Sequence, residues 1–194
     1  DKTTGKKFGK SEGNAVWLDA QKTTPYAFYQ FWLNVTDDNV IDYLKIFTLL
    51  SLEEIATLEA EHAVAPHERR AQKVLAQKVT EIVHGEAVAE SVISVSEILF
   101  GEGDVTNLDT EGKKVLLENA PTYKVSQGLL IVDVLVESGL ATSKREARTF
   151  IESGAVVLAG KKVTDLEMVV QTENFVNGIS LLKRGKKNYV VLEM

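Results

Sequence analysis

The sequence has no cysteine, only three prolines and no long hydrophobic run. Without cysteine, disulfide frameworks and thiolate zinc sites are excluded. A membrane helix needs about 20 consecutive apolar residues, and the polar opening DKTTGKKFGK is not followed by the hydrophobic region of a signal peptide. These absences predict a cytoplasmic protein that does not enter a membrane.

Several classes of ligand site are missing as well. The sequence contains neither the GxGxxG pattern nor the Walker pattern, both of which bind phosphates through a glycine-rich backbone. Its three histidines, His62, His67 and His84, are not spaced with one another or with carboxylates as metal ligands would be. We therefore expect no metal site, and we expect the histidines to cap helices or to lie at the surface.

The composition is that of a folded globular protein whose charge is unevenly distributed. The 194 residues are 44% hydrophobic and 26% charged, and the length suits two small domains. Residues 122–194 contain 10 Lys and Arg against 8 Asp and Glu, whereas the preceding residues contain 12 against 20. This asymmetry favours an anionic partner for the C-terminal part alone.

Helical signals fill residues 23–100. The aromatic segment PYAFYQFWLN has helical spacing, and we expect its rings to form core rather than a surface for stacking bases. Ser51 and Glu54 form a capping-box pattern. We predict a compact domain of five helices, which begin at Pro25, after Thr36, after Ser51, at Pro66 and at Glu86.

Residues 101–121 lose this periodicity and contain three glycines and a proline, so we predict a linker with a short helical or extended piece in it. Residues 122–194 then predict two helices, at 127–138 and after Ser143, followed by a strand, a turn and a second strand. Ser143 and Glu146 form a second capping-box pattern at the start of the second helix. A last hairpin turns near Gly185. The predicted fold class is α+β, with a helical domain followed by a small domain of two helices on a sheet.

Basic residues are concentrated in three elements of this last domain. Along the helix after Ser143, cations lie opposite the apolar side chains of Ala147, Phe150 and Ile151, and Asp133, Glu137 and Glu167 lie on other segments. Such a face either binds phosphates or is an ordinary solvated helix surface. RNA binding is favoured because two other elements of the same small domain are also basic. The candidate residues are Lys144, Arg145, Arg148, Lys161, Lys162, Lys183, Arg184, Lys186 and Lys187.

The segment TSKREARTFIESGAVVLAGKKV, residues 142–163, resembles a small RNA-binding domain first seen in a ribosomal small-subunit protein. Its spacing of helix, glycine stop and hairpin agrees with that family, but Ala159 replaces the usual Asn of the hairpin turn. The residues that match the family pattern are Ser143, Arg145, Ala147, Arg148, Ile151, Gly154, Val156 and Gly160.

A second resemblance lies in residues 1–22. The string Lys7-Phe8-Gly9-Lys10-Ser11 is similar to the lysine signature loop of class I aminoacyl-tRNA synthetases in its tyrosyl form, although alone it could be a flexible basic loop. The order of loop, helical domain and RNA-binding domain is also that of the bacterial tyrosyl enzymes. The resemblance implies ATP with Mg as substrate, contacts to ATP from Lys7, Gly9, Lys10 and Ser11, and catalysis by the two lysines. Their ammonium groups would meet the charge that develops on pyrophosphate.

The resemblance further implies an enzyme that activates tyrosine and transfers it to tRNA(Tyr) as a homodimer. No HxGH element and no nucleotide-binding unit precede the loop. We therefore expect a piece that lacks the adenylate-forming domain, is inactive and monomeric by itself, binds tRNA and holds no cofactor. In it, the helical domain would recognise the anticodon region. The alternative is a freestanding RNA-binding regulator unrelated to a synthetase.

Overall fold

A computed structural model describes residues 15–101, 103, 105–185 and 187–194 of the chain. The chain divides into two compact units, Asp1–Ile93 and Ser94–Met194, called here the N-terminal and C-terminal units. The described residues form eight α-helices and one five-stranded sheet. The predicted combination of helices with a small sheet is confirmed.

The N-terminal unit consists of helices whose starts follow their capping residues. The Thr24 hydroxyl accepts the N–H of Ala27 at 3.2 Å, and Ser51 and Glu54 form the predicted capping box. The helices are α1 (Pro25–Leu33), α2 (Asp37–Phe47), α3 (Leu52–Val64), α4 (Arg70–His84) and α5 (Glu86–Phe100), the last of which continues into the C-terminal unit.

The aromatic helix α1 is core, as predicted. Phe28 is 1% exposed and Trp32 is 5% exposed. Two histidines are placed differently from the expectation that all would cap helices or lie at the surface. His62 is buried with its Nε2 3.3 Å from the Asp37 carboxylate, and the His84 ring meets that of Phe28 edge to face at 4.9 Å. Burial lowers the pKa of His84.

The fourth predicted helix starts later than expected. Pro66–Glu68 forms a separate 3₁₀ turn, and α4 begins only at Arg70. The interruption is at Arg69, whose φ of 53° lies in the left-handed region. Its guanidinium donates to the Leu33 carbonyl at 2.6 Å, at the end of α1, and so holds the break in place.

The C-terminal unit contains the sheet. Its elements are α6 (Thr110–Asn119), β1 (Thr122–Lys124), α7 (Ile131–Glu137), α8 (Lys144–Glu152), β2 (Val156–Leu158), β3 (Lys161–Lys162), β4 (Ile179–Arg184) and β5 (Asn188–Glu193). The strand order is β1-β5-β4-β2-β3, and only β1 pairs in parallel. The two predicted hairpins are confirmed, whereas β1 was not predicted. Helix α7 is shorter than expected because Leu130 is still extended and bridges Val169.

The segment predicted as a linker, 101–121, packs within the C-terminal unit. It contains a 3₁₀ turn, Val105–Asn107, and the helix α6. Val105 and Leu108 are buried, and Leu116 is fully buried. The sequence pattern does not show this packing, because α6 has only ten residues and the segment before it is rich in glycine. The spacing of the buried side chains is therefore too short to be recognised.

Candidate nucleic-acid interface

Helix α8 is fixed at its start by two side chains. The Ser143 hydroxyl accepts the N–H of Glu146 at 3.2 Å, as the sequence predicts. The Glu146 carboxylate reaches one residue beyond Ser143, the residue that a capping box predicts. It accepts the N–H of Thr142 at 2.6 Å and the Thr142 hydroxyl at 2.7 Å. These bonds lower the pKa of Glu146. The first turn of α8 is therefore well ordered.

The two faces of α8 are separated as the sequence predicts. Ala147 and Ile151 are 0% and 1% exposed and belong to the core against the sheet. Arg145 and Arg148 lie on the exposed side. Within the part of the chain that the structure describes, neither guanidinium has a recorded salt bridge. Both cations are available to an anion from solvent.

Lys144, the third cation of this helix, is engaged by a carboxylate. Its ammonium lies 2.6 Å from the Asp133 carboxylate on α7. In the sequence, Asp133 lies on a different segment from this helix. The fold brings α7 and α8 together, so part of the charge of Lys144 is already balanced.

The β2–β3 hairpin brings two exposed lysines close to the end of α8. Lys161 and Lys162 are both exposed. The end of the Lys162 side chain lies across Gly154, which stands between α8 and β2. Gly154 has a φ of 68°. Glycine is therefore favoured there by the backbone conformation.

The two basic residues at the end of β4 are half-buried and bonded. Successive strand residues face opposite sides of a sheet, so Lys183 and Arg184 lie on different faces. Arg184 donates to the Leu140 carbonyl at 2.9 Å, and its guanidinium carbon lies 4.7 Å above the Phe150 ring. Lys183 donates to the Gly101 carbonyl at 3.3 Å. Neither side chain belongs to the exposed basic face that the sequence predicted, although both were candidates for it.

The exposed candidates are therefore fewer than the sequence suggested. Lys187 is exposed, whereas Lys186 lies outside the described residues. The signature-loop residues Lys7, Gly9, Lys10 and Ser11 also lie outside them, and their roles remain predictions. We call the exposed candidates other than Lys144, which is paired with Asp133, the basic face, and it consists of Arg145, Arg148, Lys161, Lys162 and Lys187.

The described residues contain neither a metal-binding cluster nor a membrane-spanning helix. No group of three or more His, Cys, Asp or Glu side chains is placed to hold a metal ion there. Within the same residues, no helix is long and apolar enough to cross a membrane.

Two protein-family models match the chain in succession. Residues 1–101 match the family described as tRNA synthetases class I (W and Y). Residues 112–192 match the family described as Tyrosine--tRNA ligase SYY-like C-terminal domain.

Three relatives of the chain have the same name. Tyrosine--tRNA ligase of Lactococcus lactis subsp. lactis is 49% identical over 193 residues, covering 98% of this chain and 46% of the relative. That of Streptococcus equi subsp. zooepidemicus is 50% identical over 192 residues, covering 97% and 46%. That of Streptococcus suis is 49% identical over 193 residues, covering 98% and 46%. The chain thus spans slightly less than half the length of these relatives.

Proposed function

The chain belongs to the class I tRNA synthetases of the tryptophan and tyrosine type, and from this membership we propose that it is the tRNA-binding C-terminal part of a tyrosine–tRNA ligase. The observation that most supports binding is the basic face, where Arg145 and Arg148 are exposed on a helix that is capped and anchored in the core. A freestanding RNA-binding regulator is less well supported, because the similarity to ligases extends over nearly the whole chain.

The basic face acts through the phosphates of the RNA. Lys and Arg side chains that contact phosphates displace condensed counterions, and this release drives binding. Arg145 and Arg148 project from one side of α8, and Lys161 and Lys162 follow in the next hairpin, so several phosphates can be contacted together. Such contacts position the RNA without reading its sequence.

The complete ligase activates tyrosine with ATP and Mg, then transfers it to tRNA(Tyr). In that reaction the ammonium groups of Lys7 and Lys10 stabilise the charge that develops on the departing pyrophosphate. Gly9 gives the loop its freedom to turn, and Ser11 donates to a phosphate. The helical residues 23–100 recognise the anticodon region, and dimerisation occurs through the catalytic domain of the longer protein.

The double substitution of Arg145 and Arg148 by Ala tests this function. We expect it to weaken tRNA binding by about 1 to 3 kcal/mol and to reduce the steepness of the salt dependence, since two phosphate contacts are removed. Filter binding of the chain to tRNA(Tyr) at several salt concentrations measures both quantities.

The matched control is the double substitution of Lys114 and Lys124 by Ala. Both lysines are exposed and belong to the same unit, and the strand that contains Lys124 lies at the opposite edge of the sheet from β3. This variant loses the same charge away from the basic face. Equal effects of the two double substitutions, or no effect of the first, would contradict the proposed interface.

A further inference from the structure

The C-terminal unit contains a cavity on the face of the sheet opposite α8. Its volume is about 220 Å³, below the roughly 300 Å³ at which sites for drug-sized ligands begin. A single ring system therefore suits it better than a large ligand. The lining residues are Gly103, Val105, Val157, Ala159, Gly160, Leu181 and Lys183.

The cavity combines apolar walls with one ammonium group. Val157 and Lys183 are cross-strand partners on β2 and β4, so their side chains share one face of the sheet. Leu181 is two residues before Lys183 on the same strand and shares that face too. Further walls come from Gly103 and Val105 and from Ala159 and Gly160 in the turn between β2 and β3.

Among the described residues, the Lys183 ammonium has one weak acceptor. It is half-buried, and burial lowers its pKa. Its hydrogen bond to the Gly101 carbonyl is 3.3 Å long, beyond the usual length for a charged donor. No carboxylate within salt-bridge distance of it is recorded among the described residues. A desolvated ammonium in this state is stabilised by an acceptor atom that a ligand supplies.

An exposed aromatic ring contacts the tyrosine that pairs with the same lysine across the strands. Tyr189 is the cross-strand partner of Lys183 on β5, and the Phe100 ring meets the Tyr189 ring edge to face at 5.9 Å. Phe100 is 59% exposed. Exposed aromatics next to cations are typical of surfaces that bind unstacked bases of single-stranded RNA.

We propose that this cavity binds one unstacked nucleobase of the bound tRNA, with the Lys183 ammonium donating to an acceptor on the base and Phe100 stacking on the base that follows. The inference rests on the proposed function, since it requires tRNA as the partner. It adds base recognition on one face of the sheet to phosphate binding on the basic face.

Two substitutions test the base site in tRNA binding. Lys183→Met keeps the length of the side chain and removes the donor, and Phe100→Ala removes the stacking surface. Each is expected to weaken tRNA binding about tenfold. Phe100→Ala should leave the salt dependence unchanged, because it removes no charge. Lys124→Met, at the far edge of the sheet, is the control for loss of one lysine and should bind as the wild type does.

The outcomes separate this inference from the proposed function. Unchanged affinity in both variants, with the effect of the Arg145 and Arg148 substitutions intact, would overturn the base site alone. No tRNA binding by the wild-type chain would overturn the proposed function and the base site with it.

A second measurement locates the ligand and distinguishes base from phosphate. Methyl resonances of Val105, Val157 and Leu181 are followed by NMR while a ribonucleoside 5′-monophosphate or ribose 5-phosphate is added. We expect shifts with the nucleotides and none with ribose 5-phosphate, which has the phosphate but no base. Equal shifts with both compounds, or no shift with any of the four nucleotides, would overturn the proposal.

Discussion

At the turn between β2 and β3, Ala159 has a φ of 49°, which is unfavourable for a residue with a Cβ atom. The following Gly160 has a φ of 74°, so both central residues of this two-residue turn are left-handed, as in a type I′ turn. The left-handed conformation costs about 1 to 2 kcal/mol for residues other than glycine. We predict that Ala159→Gly raises the free energy of unfolding by about 0.5 to 1 kcal/mol, since relief of strain exceeds the added freedom of the unfolded chain. Urea denaturation measures the change.

The same substitution elsewhere should have the opposite sign. Ala120 has a φ of −116°, where a Cβ atom is well tolerated. Ala120→Gly should therefore lower the free energy of unfolding by about 0.5 to 1 kcal/mol, because glycine relieves no strain there and increases the conformational entropy of the unfolded chain. A stabilising effect at both positions would show that backbone strain at Ala159 is not the cause.

Glu146 makes the stability of α8 depend on pH. Its hydrogen bonds from Thr142 lower its pKa in the folded protein. Stabilisation from this carboxylate is thus fully present above the unfolded pKa and is lost as the pH falls through the folded pKa. We predict that Glu146→Gln reduces the free energy of unfolding at neutral pH, and that its difference from the wild type shrinks on acidification. Denaturation series between neutral and strongly acidic pH measure this.

Glu152 on the same helix is the control for that series. It is exposed, and the structure records no hydrogen bond to its carboxylate among the described residues. Glu152→Gln should change stability little and without a trend on the acidic side. A Glu146→Gln difference that is constant with pH would mean that the carboxylate charge does not stabilise the cap.

Among the helices of the C-terminal unit, α6 contributes a fully buried leucine. Leu116 on α6 is 0% exposed, although its segment has the composition of a linker. We predict that Leu116→Ala lowers the free energy of unfolding by about 2 to 5 kcal/mol, since it opens a cavity in a packed core. Lys114→Ala, on the exposed side of the same helix, should cost less than about 0.5 kcal/mol. Equal, small effects would show that α6 is not packed as the structure describes.

Elements with local signals were predicted, and those fixed by distant contacts were not. The cap at Ser51 and Glu54 depends on residues three apart, so the sequence shows it directly. The strand β1 has three residues and forms only because β5, nearly seventy residues later, pairs with it. The salt bridge of Lys144 with Asp133 and the bond of Arg184 to Leu140 likewise join separate elements. A charge pattern along one segment cannot reveal that these cations are already engaged.

For the whole molecule, the signature loop gives the sharpest test of the enzymatic proposal. In the longer ligase, Lys10→Ala should slow formation of tyrosyl adenylate by about 10² to 10³, the usual effect of removing one donor to a developing charge. Tyrosine affinity should change little, because the contact is made mainly in the transition state. ATP–pyrophosphate exchange and tyrosine titration measure the two quantities. Lys2→Ala, outside the KFGKS string, is the control, and unchanged exchange in Lys10→Ala would contradict the role of the loop.

The two edges of the sheet have a consequence for the solubility of the whole molecule. Strand β1 has three residues and β3 has two, and exposed lysines lie on both, Lys124 on one and Lys161 and Lys162 on the other. Short, positively charged edge strands discourage strand pairing with another copy of the chain, because the unpaired backbone is brief and like charges would meet. The hairpin lysines are therefore expected to discourage this edge from pairing with another copy of the chain. Replacing Lys161 and Lys162 should increase self-association as well as weaken RNA binding.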